Sequence, residues 1–375
     1  MKVALVHDYL NEFGGAERVL LALSEIYPDA PIYTAFYRED SPAYERFKKK
    51  KIITSWAQNV PFFASRLHSP LRFLAPMVWG NFDFSKFDVV IGSSSWYVTK
   101  GFKKGKKTVE ICYCHTPPRY LYGYPTASSQ KGILIKIYAA LVNHFMRVYD
   151  FEAAQRVDWF IANSKEVTGR IKKFYRRDST VIYPPVDVSR FAGPISNGEY
   201  FLVVSRLVGA KNVDLAVDVC SNLGLKLKVV GTGRDKGKLE RMAGETIEFL
   251  GDVADEELIG LYQNCRALIF PASQEDFGIV PVEAMAAGQP VITLAEGGVL
   301  ESVIDWSVGG KGKCTGVYFD PATAGSLTLA INNFFSLEKK GYFDSAFIKK
   351  HAQKFSKERF KDEIKKFVAS KVKKA

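Results

Sequence analysis

The 375-residue chain is poor in the features that mark a secreted, metal-built or membrane-spanning protein. It has five cysteines and no metal-like cluster among them: Cys112 and Cys114 are too close, and Cys220, Cys265 and Cys314 are scattered. That usage fits a reduced, cytosolic protein rather than a disulfide framework. No apolar run reaches the ~18 residues that cross a bilayer. The opening Val3-Ala4-Leu5-Val6 lacks the charged start, long apolar core and cleavage site of a signal peptide. No D-x-D cluster occurs anywhere, so no bound metal is expected. The chain is not short of core material: 47% of residues are apolar and 25% charged, a globular balance with room for two domains.

Acidic residues are scarce in the first half. Residues 1–190 carry 28 Lys/Arg against 17 Asp/Glu, residues 191–350 carry 15 against 20, and residues 351–375 carry 9 against 3. The net charge of +12 therefore sits at the two ends of the chain, which points to an anionic partner surface, membrane lipid or nucleic acid. Between Arg46 and Phe87, Lys48–Lys51 precede a run of aromatic and aliphatic residues that includes Trp56, Phe62, Phe63, Phe73 and Trp79. Two readings stay open for this segment: a membrane-surface element, or core aromatics beside a solvated lysine face. A second basic run, from Lys100 to Lys107, reads as a loop between two strands.

Taken in order, Val3–His7 reads as the first strand of a parallel sheet, followed by Gly14-Gly15 and an amphipathic helix. The strand near Thr108–Tyr113 runs into Cys114-His115-Thr116-Pro117-Pro118-Arg119-Tyr120, and His115 leaves a strand end where open α/β sheets bind ligands. There it can donate to a sugar hydroxyl or phosphate. Residues 133–157 form one long helical pattern, and Pro184-Pro185 marks the domain boundary. In the second half Arg206 leaves a strand and Lys211 opens the next helix, so both cations can converge on one anion. Gly231-Thr-Gly233 misses the dinucleotide fingerprint by one residue and follows the wrong strand, which excludes NAD.

The stretch 271–298 organises the rest. Ala267–Phe270 reads as a buried strand, Pro281 as the first helical residue and Gly288 as the stop. Glu283 then falls in the first turn, and Glu275 lies eight residues earlier in the loop. Phe277-Gly278-Ile279-Val280 would present backbone N–H groups at a helix N-terminus, a ready anion site. Two carboxylates around amide donors suit sugar hydroxyls flanking a diphosphate. A strand–loop–helix unit in which Glu283 caps its own helix accounts for the same residues.

Glu275 to Glu283, with Gly288-x-Pro290-Val291-Ile292 and Gly297-Gly298-Val299-Leu300-Glu301, resembles the E-x7-E signature of the retaining glycosyltransferase family 4. His115-Thr-Pro-x-Arg119-Tyr120 is similar to a segment of its bacterial polysaccharide mannosyltransferases. The resemblance implies an α/β fold of GT-B type, with two Rossmann-like domains facing a cleft. Residues 1–185 would form the acceptor side, 186–352 the nucleotide-sugar side, and 353–375 a helix returning to the first domain. It also implies His115, Arg206, Lys211 and Glu275 as the catalytic set. Donor binding falls to Gly14, Gly15, Val253, Phe277, Gly278, Ile279, Val280 and Glu283, with Arg119 and Tyr120 on the acceptor side. Glu283 would hold ribose and Glu275 the sugar hydroxyls.

The expected reaction is sugar transfer with retention, without metal or resident cofactor. GDP-mannose is the favoured donor and a UDP-sugar stays open; the acceptor is a lipid-linked or growing glycan. The basic first half implies peripheral attachment to the inner face of a membrane rather than nucleic-acid binding. A sugar-nucleotide epimerase of similar build and a basic nucleic-acid-binding protein are the alternatives.

Overall fold

The computed structural model describes residues 1–124, 126, 132–194 and 198–372. The chain divides into two compact units, Met1–Pro185 joined by the segment from Glu358 onward, and Val186–Lys357. The first holds strands β1 (Val3–His7), β2 (Ile32–Thr34), β3 (Ile52–Thr54), β4 (Val89–Ser94), β5 (Val109–Cys114), β6 (Trp159–Ala162) and β7 (Ser179–Val181). They make a seven-stranded sheet ordered β3-β2-β1-β4-β5-β6-β7, and its strand pairs are parallel. β1, β4 and β5 are buried along their whole length, as strands covered on both faces must be.

Alternation along β1 divides the core. Val3 and Leu5 pack under the helix Gly15–Ile26 and the last helix, Lys357–Val372, while Ala4 and Val6 face an aromatic layer. The last helix sends Phe360, Ile364 and Val368 into the first core, and Lys361 pairs with Glu25. The aromatic layer decides much of the segment 46–87: Phe63, Val78, Trp79, Phe82 and Phe84 are core, with the Trp79 indole N–H donating to Tyr97 O at 2.7 Å. Lys48, Lys49 and Lys51 are exposed, whereas Lys50 caps the carbonyls of Ser24 and Pro28.

Residues 95–108 form the loop expected between β4 and β5, but Lys100 within it is not a surface charge. Lys100 is fully buried and paired with Asp150, beside the Tyr175 ring at 4.8 Å. Burial works against its charge, but the Asp150 carboxylate wins and holds its pKa above the ordinary lysine value. Lys104 likewise pairs with Asp158. Part of the lysine content is therefore matched one for one by carboxylates, in the core at Lys100 and near the surface at Lys104.

The second unit holds β8 (Phe201–Val204), β9 (Leu227–Val230), β10 (Ile247–Gly251), β11 (Ala267–Phe270), β12 (Val291–Leu294) and β13 (Gly316–Phe319). These six parallel strands are ordered β10-β9-β8-β11-β12-β13. From β8 the chain moves outward one way to β9 and β10; from β11 it moves the other way to β12 and β13. β8 and β11 are thus the strands where the winding reverses, and the loops leaving their carboxyl ends diverge to leave a crevice. In the first sheet the same reversal falls between β1 and β4.

Candidate active site

In the second unit the crevice at β8 and β11 gathers the charged residues. Lys211 does not open a helix: it ends a short 3-10 turn, Gly209–Lys211, and the helix begins at Val213. Asn212, at φ 48°, links the turn to the opposite loop. Its amide donates to Pro271 O at 3.0 Å and Ser273 Oγ at 2.7 Å, and Ser273 N–H returns a bond to Ala210 O at 3.2 Å. This lacing sets Lys211 Nζ against the Glu275 carboxylate in a partly buried ion pair. Arg206 stands exposed on the same edge, just past β8.

The helix after β11 runs Ile279–Ala286, two residues earlier than Pro281 indicated. Gly278, at φ 87°, is its N-cap, and a side chain there would have to enter the left-handed region. Pro281 therefore occupies the third helical position, where its missing N–H costs no intrahelical bond. Glu283 moves from the first turn to the second, so it is not a capping carboxylate. It is buried, and the Tyr262 hydroxyl donates to its Oε2 at 3.0 Å. The N–H groups of Gly278, Ile279 and Val280 remain at the helix start. Phe277 contributes backbone rather than ring: its side chain is buried, 5.5 Å from Phe355.

Gly297 and Gly298 fix the loop that carries Glu275. Gly298 N–H donates to Glu275 O at 2.8 Å, and a Cβ on Gly298 would lie 2.3 Å from Asp276 O. Only glycine lets the two backbones meet there. Val253 is half-buried two residues beyond β10, the edge strand, and is not laced to the Lys211–Glu275 pair.

The first unit carries a second cluster at its own reversal. His115 leaves β5 and is buried, with Nε2 2.9 Å from Ser93 Oγ. Ser93 Oγ is 3.0 Å from His7 Nδ1, and His7 Nε2 is 3.2 Å from Glu17 Oε1. Burial raises the Glu17 pKa, but the His7 bond and charge and the Gly14 N–H, at 2.8 Å, outweigh it and hold the carboxyl below its ordinary value. Ser93 Oγ therefore bridges the His7 and His115 rings, and Glu17 closes the chain at His7 Nε2. Burial, reinforced by His7, pushes the His115 pKa down to about 4, so the ring is neutral near pH 7.

Sequence reasoning singled out none of His7, Asp8, Glu17 or Ser93. Asp8 ties the loop after β4 to β1, accepting from Ser95 N at 3.0 Å, Ser95 Oγ at 2.8 Å and Trp96 N at 2.6 Å. The usable signal was a His-Asp pair ending the first strand. Gly14 and Gly15 are exposed at the start of the helix. Arg119 and Tyr120 are half-buried in a 3-10 turn after His115, where the Tyr120 ring contacts Trp96 and lies 5.3 Å from the Arg72 guanidinium. Among the described residues no group of three or more His, Cys, Asp or Glu is placed to hold a metal ion.

Two family models match the chain in succession. Residues 13–190 match Glycosyltransferase Family 4 and residues 187–362 match Glycosyl transferases group 1. The chain belongs to the family 4, group 1 glycosyltransferases. Among its relatives, the human alpha-1,3/1,6-mannosyltransferase ALG2 is 27% identical over 263 residues, covering 60% of this chain and 61% of that protein. The match thus spans less than two thirds of the human relative. The Mus musculus ALG2 is 26% identical over 95% of this chain and 93% of its own. Among solved structures, Anabaena HepE in complex with UDP and glucose superposes with a TM-score of 0.72 at 19% identity, covering 99% of this chain and 100% of that one. That likeness places both units of this glycosyltransferase in the GT-B fold class.

Proposed function

We propose that this family 4 glycosyltransferase is a retaining mannosyltransferase, moving mannose from GDP-mannose to a hydroxyl of a lipid-linked or glycan acceptor in cell-surface polysaccharide synthesis. The observation that carries the reading is the convergence, at the β8/β11 reversal, of Lys211, Glu275 and the helix start at Gly278–Val280. Cation, carboxylate and amide donors in one crevice match a diphosphate joined to a sugar. The ALG2 relatives support mannose as the sugar.

In this reading Arg206, Lys211 and the helix-start amides stabilise charge as the bond from mannose C1 to the phosphate oxygen breaks. Lys211 shares its protons between Glu275 and the diphosphate. The acceptor oxygen bonds to C1 on the same face, and its proton passes to the departing phosphate oxygen. Glu275 holds sugar hydroxyls and is not a nucleophile; Glu283, oriented by Tyr262, holds the ribose. Gly14 and Gly15 offer amides to the diphosphate, His115 donates to a sugar hydroxyl or phosphate, and Arg119 and Tyr120 serve the acceptor. The step needs no metal and no resident cofactor. Attachment to the inner face of a membrane would bring the enzyme to a lipid-linked acceptor; among the described residues no helix is long and apolar enough to cross one.

The test is transfer of label from GDP-mannose into a lipid extract or its polymer fraction. Labelled product in the α configuration, unchanged by chelator, is expected. Transfer from UDP-glucose with none from GDP-mannose would move the donor to a UDP-sugar, and full loss in chelator would overturn the metal-free mechanism.

A further inference from the structure

The helix Ile133–Arg156 in the first unit has two apolar faces, and one of them is left uncovered by the described residues. Ala139, Met146, Asp150 and Ala153 are buried against the unit, with Asn143 accepting from Arg72 at 2.8 Å and 3.1 Å. On the solvent side Leu134, Ile137, Leu141, Phe145 and Val148 are between 50% and 78% exposed. At 3.6 residues per turn these five fall within an arc of about 80°. Lys136, His144 and Arg147, all exposed, lie along one border of that stripe. The stripe extends beyond the helix: Tyr138 donates to Pro70 O, and Phe73 and Met77, 42% and 62% exposed, belong to the neighbouring segment.

Charge separates the candidate occupants. Residues 46–82 contain seven Lys/Arg and no Asp or Glu, and residues 111–149 contain four Lys/Arg and no Asp or Glu. These are the two stretches that meet at the Arg72–Asn143 and Tyr138–Pro70 bonds. A second copy laid on this face would set mostly cation against cation, with Glu152, exposed at the stripe's C-terminal end, as the helix's one solvent-facing carboxylate. An anionic lipid surface answers both halves of the pattern, with headgroups for the cations and acyl chains for the stripe.

We propose that the exposed face of the helix Ile133–Arg156, continued by Phe73 and Met77, is an interfacial membrane anchor that lies in the surface of an anionic bilayer. It rests on, and extends, the membrane attachment in the proposed function. Lys48, Lys49 and Lys51, exposed on the same unit, add attraction toward an anionic surface at a distance.

The test is co-sedimentation of the whole protein with phosphatidylglycerol–phosphatidylcholine vesicles. The double substitution Leu141→Glu with Phe145→Glu puts charges at solvent-facing positions and leaves the packed face untouched. It should weaken vesicle binding at least tenfold while thermal unfolding and GDP affinity hold. Lys136→Glu with Arg147→Glu should weaken binding to anionic vesicles and leave the remaining binding less salt-sensitive than that of wild type. Wild-type binding retained by the Leu141/Phe145 variant would overturn the proposal. So would a wild-type dimer, indifferent to vesicles, that the same variant turns into a monomer. Failure of GDP to bind wild type, with vesicle binding intact, would instead count against the glycosyltransferase chemistry and leave the anchor standing.

Discussion

Glu275 and Glu283 look alike in sequence, yet their surroundings differ in a way that separates their effects. Glu275 is half of an ion pair with Lys211, whereas Glu283 is buried and bonded to Tyr262. Glu275→Gln removes the charge that competes with a diphosphate for Lys211, so GDP affinity should hold or rise while turnover falls by about 2–4 kcal/mol of transition-state stabilisation. Glu283→Gln should weaken GDP and turnover together. Titration of GDP into both variants decides it, and an equal loss of affinity in both would show the roles are misassigned. His115 makes a second prediction, on pH. Unfolded, the ring takes a proton below about pH 6.5; folded and buried, only below about 4. The unfolded state binds more protons across that window, so stability falls as pH drops from 6.5 to 4, by at most about 3 kcal/mol from this group. Denaturant unfolding at pH 7, 5.5 and 4.5 should show a shallower loss for His115→Asn than for wild type. Equal slopes would mean that His115 is solvated.

Elements were more legible than the contacts between them. The continuous apolar runs Val3–Val6, Phe201–Val204 and Ala267–Phe270 are parallel strands because both of their faces are covered, and that signal survives in one sequence. Helix starts were less legible. Pro281 is as stable at the third helical position as at the first, since neither N–H is needed, so the proline alone left the start of the Glu283 helix two residues late. Lys211 was misplaced because Asn212, in a left-handed conformation, inserts a 3-10 turn that periodicity does not register. The buried Lys100–Asp150 pair joins residues 50 apart, and sequence alone reads each as an ordinary surface charge. The His7–Ser93–His115 network has the same cause: its members come from three strands and meet only once the sheet order is known. Resemblance to the family supplied what periodicity could not, the pairing of Glu275 with Glu283 and of both with Arg206 and Lys211.

Across the whole molecule the two units divide their charge. The first unit, basic in sequence, buries the Lys100–Asp150 pair as framework and keeps its unmatched cations toward solvent, some of them beside exposed apolar residues. The second unit is acidic over most of its length, yet at its sheet reversal it assembles a cationic and amide-lined crevice. The epimerase alternative loses ground because the chain belongs to a glycosyltransferase family along nearly all of its length. What remains to be measured directly is whether that crevice takes a nucleoside diphosphate. Calorimetric titration of GDP into wild type and Lys211→Ala, in chelator, tests this. The account predicts one site per chain in wild type and affinity at least tenfold weaker in the variant. No binding of GDP or UDP to wild type, or equal binding by both proteins, would contradict it.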